Sequence, residues 1–157
     1  MKRIFVLSVL VIGAAFFGNK AQAQSNWEAG IRTDFGNVAL DVTIPFKAPR
    51  IHAAAYFGGG GVGFGGYFDW MFSLNGGPTG LKFYPGVGPE VYIGDGLFEM
   101  GVAGDFGAEY SFDFPLTIGF DWRPGFLITE NFNFYSGNWG FIARFRIGEG
   151  ASFSKAN

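Results

Sequence analysis

The side chains able to do chemistry in this chain are almost all carboxylates and their cationic partners. Glu28, Asp34, Asp41, Asp69, Glu90, Glu99, Asp105, Glu109 and Asp121 are spread along it, answered by Arg32, Lys82, Arg123, Arg144 and Arg146. Such a set can do one of two things. Paired, the charges neutralise one another and fill space, because burying an ion costs several kcal/mol unless it has a partner. Unpaired, the surplus of acids would line a narrow polar path or hold a cation. His52 is the only histidine, and the chain has no cysteine, which excludes disulfides and thiolate metal sites. A Ser-His nucleophile needs a serine within hydrogen-bond reach of the ring, and the serine nearest to His52 in the chain is Ser73. The glycines from Gly58 to Gly66 precede a strand pattern instead of opening a helix, so they make no nucleotide loop. The expectation is a charge network with no catalytic residue, no metal and no cofactor.

What positions those charges is an alternation. From Phe98 to Phe112, one parity reads Phe98, Met100, Val102, Gly104, Phe106, Ala108, Tyr110, Phe112, and the other reads Glu99, Gly101, Ala103, Asp105, Gly107, Glu109, Ser111. All the charge falls on one side, the period of a strand with two unlike faces. Leu116, Ile118, Phe120, Trp122 and Phe126 repeat the pattern against Thr117, Gly119, Asp121, Arg123 and Gly125. Asp113-Phe114-Pro115 joins the two segments as a hairpin. Counting from that turn sets Asp105 opposite Arg123, Gly107 opposite Asp121 and Glu109 opposite Gly119.

Six further segments read the same way: Trp27–Phe35, Val38–Phe46, Ile51–Phe57, Val62–Leu74, Leu81–Ile93 and Asn138–Ile147. Turn signals separate them, among them Gly36-Asn37, Lys47-Ala48-Pro49, Gly58 to Gly61, Asn75 to Pro78, Asp95-Gly96 and the polar stretch Thr129–Gly137. The spacing predicts eight strands of about nine residues or more, an all-β, antiparallel up-and-down barrel crossing a membrane. Eight strands enclose an interior just wide enough for side chains to fill. Glycines Gly63, Gly65, Gly86, Gly88, Gly101, Gly107 and Gly119 share the charged face and suit a cramped lumen. The opposite face carries Trp70, Phe72, Phe83, Phe106, Phe120, Trp122, Phe141 and Phe145, expected to meet lipid. A soluble barrel with its aromatics inside would need Lys and Glu outside, where this chain would offer mostly glycine and alanine. Pro85 and Pro89 fall within a predicted strand and imply a bulge there or a shift of register.

The chain begins with Lys2 and Arg3, an apolar run from Ile4 to Phe17, and Ala21-Gln22-Ala23. That is a signal peptide over residues 1–23, cleaved near Ala23, with the barrel over 24–147 and a polar tail over 148–157. Removing Lys2, Arg3 and Lys20 leaves eight basic residues against thirteen acidic, a net charge of −5 that offers no nucleic-acid footprint.

The stretch Gly107-Ala-Glu-Tyr-Ser-Phe-Asp-Phe-Pro-Leu-Thr-Ile-Gly-Phe-Asp-Trp-Arg-Pro124 resembles a motif of small outer-membrane β-barrels common in Bacteroidota, and Gly80-Leu-Lys-Phe-Tyr-Pro-Gly-Val-Gly88 resembles another of that family's strands. The resemblance implies an eight-stranded barrel of the OmpX/OmpA kind, monomeric and embedded in outer-membrane lipid. Its partners would be periplasmic chaperones and the insertion machinery. The family has no shared activity to carry over. Such barrels usually end on an aromatic residue, whereas this last strand ends Arg144-Phe145-Arg146-Ile147. With both termini periplasmic, three of four outer loops are very short, which suits neither an adhesin nor a receptor. The expected role is envelope-structural or accessory. The alternatives are a minor channel or small-ligand barrel and, further off, a lipid A-modifying enzyme using His52.

Overall fold

The computed structural model describes residues 26–46, 49–74, 76–129 and 132–148. The expected signal segment and, apart from Gly148, the expected tail lie outside the described residues. The alternating faces fold into β1 (Trp27–Thr33), β2 (Val38–Pro45), β3 (Pro49–Gly58), β4 (Gly61–Trp70), β5 (Leu81–Gly94), β6 (Leu97–Ser111), β7 (Leu116–Trp122), β8 (Gly125–Leu127), β9 (Asn133–Tyr135) and β10 (Trp139–Ile147). The ring runs β1-β2-β3-β4-β5-β6-β7-β10 and closes antiparallel on β1, an eight-stranded barrel. There is no helix among the described residues.

β8 is a continuation of β7. Phe106 pairs with Trp122 and Gly101 with Leu127 in one unbroken register against β6. The gap is Arg123-Pro124, where proline lacks an N–H although its carbonyl still accepts from the Gly104 amide at 2.8 Å. The counted register holds: Gly107 faces Asp121 and Glu109 faces Gly119. On the other side the Arg123 amide donates to the Asn138 carbonyl at 2.8 Å, while Gly125 pairs with Tyr135. Ser136 and Gly137 therefore oppose Pro124 alone, a β-bulge. The stretch read as a plain polar loop thus contains the short strand β9, which lengthens the barrel wall beside β8.

Other departures have local causes. β1 stops at Thr33 because the Asp34 carboxylate accepts from the Gly36 and Asn37 amides at 2.9 and 2.7 Å, folding the chain into a turn. β1 and β2, at seven and eight residues, fall short of the expected nine. β3 starts earlier than expected, which draws Arg50 into the sheet opposite Asp69. β4 ends at Trp70, with only a Phe72–Phe83 bridge beyond it. Pro85 and Pro89 cause no bulge and no slip: β5 keeps one register against β6 throughout. Phe83 exchanges both its backbone bonds with Phe72, at 2.8 Å each, so by alternation residues 85 and 89 also turn their backbones toward the β4 side. The β4–β5 ladder duly skips Gly66 and Tyr67, where Pro89 has no N–H to give.

Two turns at the loop end are as tight as hairpins allow. Gly59-Gly60 has φ of 59° and 80°, and Asp95-Gly96 has 50° and 76°, the left-handed pair of a two-residue turn that follows strand twist.

The barrel is polar inside and apolar outside. Few hydrophobic residues are buried, notably Tyr67, Met71, Tyr84 and Ile142, while Arg32, Arg50, Arg123 and Arg144 are among the most deeply enclosed side chains. Of the aromatics expected outside, Trp70, Phe106, Phe120, Phe141 and Phe145 are exposed, the last two at 61% and 60%. Phe72, Phe83 and Trp122 are half-buried. Trp122 stacks on Trp139 with ring centroids 5.2 Å apart.

Candidate functional site

The lumen is built by pairing each large polar side chain with a small neighbour. Gly30 sits between Asp41 and Arg144, Gly86 between Asp69 and Asp105, and Gly107 between Tyr84 and Asp121. Gly140 lies beneath the Arg32 guanidinium. These openings let charges from seven of the eight walls meet inside the barrel.

They meet as one connected network. At the turn end Glu28 accepts from Thr117 at 3.1 Å and from Arg144 at 3.1 Å. Arg144 also reaches Asp41 at 2.8 Å and pairs with Glu109. Glu109 is shared with Arg50 at 2.9 Å, and Arg50 reaches Asp69 at 3.0 Å with its guanidinium 4.5 Å from the Tyr84 ring centre. Farther along the axis, Arg123 bonds Asp105 at 3.2 Å and Asp121 at 2.9 Å, and lies 4.7 Å from the Tyr67 ring centre. Arg32 completes the chain, 2.7 Å from Asp121 and 3.5 Å from Asp34.

His52 is the hub. Its Nε2 lies 2.7 Å from Asp41, and its Nδ1 lies 2.9 Å from Asp69 and 2.8 Å from Asp105. The Arg123 and Arg144 guanidiniums also face Nε2, at 3.0 and 3.4 Å, so that nitrogen meets donors as well as a carboxylate. His52, Asp69 and Asp105 also bring one ligand atom each within 4.8 Å of one another, a donor set a divalent cation could use. Arg123 stands 3.0 Å from Nε2 of the same ring and 3.2 Å from Asp105, however, and already supplies positive charge to this set. The ring is fully buried, and no serine is among its polar contacts in the described residues.

Arg32, Asp105, Glu109, Asp121, Arg123 and Arg144 thus come together as one assembly with Glu28, Asp34, Asp41 and Asp69. Four expected members do something else, and one of them, Glu99, lines the cup at the loop end. Glu90 is held by the hydroxyls of Tyr67 and Tyr135, with no cation paired to it among the described residues. Lys82 lies opposite Glu109 across β5–β6 but joins no ion pair among the described residues. Arg146 donates to the carbonyls of Phe112 and Phe114 and fastens the hairpin turn. Arg50 was missed, although it continues the parity of His52 and Ala54. The inward tyrosines Tyr56, Tyr67, Tyr84 and Tyr135 were also missed. Glycines facing their positions in the register, such as Gly63 for Tyr56 and Gly107 for Tyr84, were the available signal.

Above the network, at the loop end, the lumen opens into a cup of about 460 Å³ whose lining includes Tyr56, Glu90, Tyr92, Glu99 and Tyr135. No protein-family model, no curated protein and no solved structure matches this chain.

Proposed function

We propose that this chain is an integral outer-membrane barrel whose lumen is plugged by its own charges, with an envelope-structural or accessory role and no catalytic step. The observation that carries the reading is the inverted distribution of side chains. Ile31, Leu40, Phe64, Phe68, Met100, Phe106, Ile118, Phe141 and Phe145 all point out and are exposed. In water they would form a patch far beyond the few hundred Å² that soluble monomers tolerate. The four tryptophans bracket this surface, Trp27 and Trp70 at the turn end and Trp122 and Trp139 at the loop end. That is where amphipathic rings settle in a bilayer interface. The basic and apolar start of the sequence, with Ala21-Gln22-Ala23, supports export, and the two family-like motifs support the outer membrane as destination. Within the lumen, ion pairs from opposite walls meet at the level of His52, which supports the plugged reading.

Fractionation tests this. The expressed full-length chain should sediment with outer membranes, resist carbonate extraction and migrate faster on SDS gels unheated than boiled. Recovery as a soluble periplasmic protein would overturn the reading. One observation favours a second role, as a small-ligand barrel: the cup left open above the plug.

A further inference from the structure

The cup has an imbalance of donors and acceptors. Its hydroxyl donors are committed. Tyr92 donates to the Gly59 carbonyl at 2.9 Å, Tyr135 donates to Glu90, and the Tyr56 hydroxyl is shared between Tyr67, at 3.0 Å, and Arg123. Two of its acceptors are not committed. The Glu99 carboxylate, opposite Tyr92 on the β5–β6 ladder, has neither ion pair nor hydrogen bond among the described residues. Asn138, also in the lining, keeps its buried side-chain oxygen without a partner among them. Glu90 receives only neutral hydroxyls, so its charge is solvated but not cancelled. The nearest guanidinium groups are spent below, Arg32 on Asp121 and Arg123 on Asp105 and Asp121.

A ligand that completes this cup must bring donors and positive charge. The walls add aromatic and apolar surface from Phe35, Leu127 and the tyrosine rings. Rings and carboxylates together recognise ammonium groups, through attraction to the ring face and through charge-assisted hydrogen bonds. Anions are repelled by Glu90 and Glu99. We propose that the loop-end cup binds a small organic cation, an ammonium carried on an aromatic or apolar body, with Glu90 and Glu99 as its charge partners. The tyrosine hydroxyls that clamp Glu90, and the bond from Tyr92 to Gly59, hold these walls in shape. A rigid cup loses less entropy on binding.

The inference depends on the plugged lumen only for its floor, and the two fail separately: conduction through a planar bilayer would remove the plug, whereas ligand titration reads the cup. The purified full-length chain in detergent micelles is titrated calorimetrically with benzylammonium, benzyl alcohol and benzoate. The expected result is saturable binding of benzylammonium, with the alcohol and the carboxylate at least tenfold weaker. Glu99→Gln should weaken benzylammonium about tenfold while leaving the melting curve unchanged, since that carboxylate supports nothing else. Glu90→Gln, scored only if it folds, should weaken it similarly. Equal affinity for all three probes would overturn the proposal. So would the lack of saturable benzylammonium binding up to millimolar concentration, or an affinity indifferent to Glu99→Gln.

Discussion

Arg123 holds Asp105 at 3.2 Å, Asp121 at 2.9 Å and Asp41 at 3.5 Å, and its loss would not fall evenly on them. Asp121 keeps Arg32, and Asp41 keeps Arg144 and His52, but Asp105 would retain only His52. Removing one member of a buried pair costs about 3–5 kcal/mol because it strands the other charge. Arg123→Ala should therefore lower the melting temperature in micelles clearly, and an unchanged curve would sink the paired plug. Lys82→Ala is the internal control: Lys82 faces the same lumen without an ion pair among the described residues, so its change should stay within about 0.5 kcal/mol. Residue by residue, the sequence exposed charges flanked by glycine and little else. Arg50 escaped because Lys47-Ala48-Pro49 reads as a turn, and proline at a strand's first residue is a pattern that turns and strands share. The tyrosines escaped because their rings suit either face, and only the glycine across the ladder tells which one they take.

At the scale of the strand, legibility followed the contrast between faces. β6 and β7 carry all their charges on one face and all their aromatic rings on the other, so their pairing could be counted to the residue from the Asp113–Pro115 turn. β1 ends and β2 begins where Asp34 turns back on the chain, a side-chain choice that periodicity does not encode. The bulge at Ser136-Gly137 is of the same kind: it answers Pro124 on the neighbouring strand, a partner 12 residues earlier in the chain. The small-against-large rule gives a test within the strands. A Cβ at Gly107 would run into the Tyr84 ring, whereas one at Gly66 meets nothing within 4 Å. Gly107→Ala should destabilise the barrel by about 1–3 kcal/mol through overpacking, and Gly66→Ala should be nearly neutral. The fraction of each variant reaching the compact, fast-migrating band on an unheated gel measures the difference. Equal yields would mean that the lumen has more slack than its register implies.

For the whole molecule, the prediction that follows from the network is electrical. Purified barrel in a planar bilayer should show no steady conductance at ordinary voltages, since charged side chains from β1, β2, β3, β4, β6, β7 and β10 meet across the axis. Discrete openings in most recordings would contradict the plug and favour a channel. The way those walls meet also governs how the molecule must assemble. Arg32 and Asp121 are 89 positions apart in the chain, and Glu28 and Arg144 are 116 apart. Neither pair exists until the last strand reaches the first. A half-formed barrel thus holds guanidinium and carboxylate groups that are stripped of water yet still unmatched, and no hairpin is worth keeping by itself. Closure and neutralisation become one event. Refolding into micelles should accordingly populate folded or unfolded chains and little between them, slowly, as pairings this remote in sequence require. The network proposed to plug the finished barrel would serve first as a checkpoint on its construction.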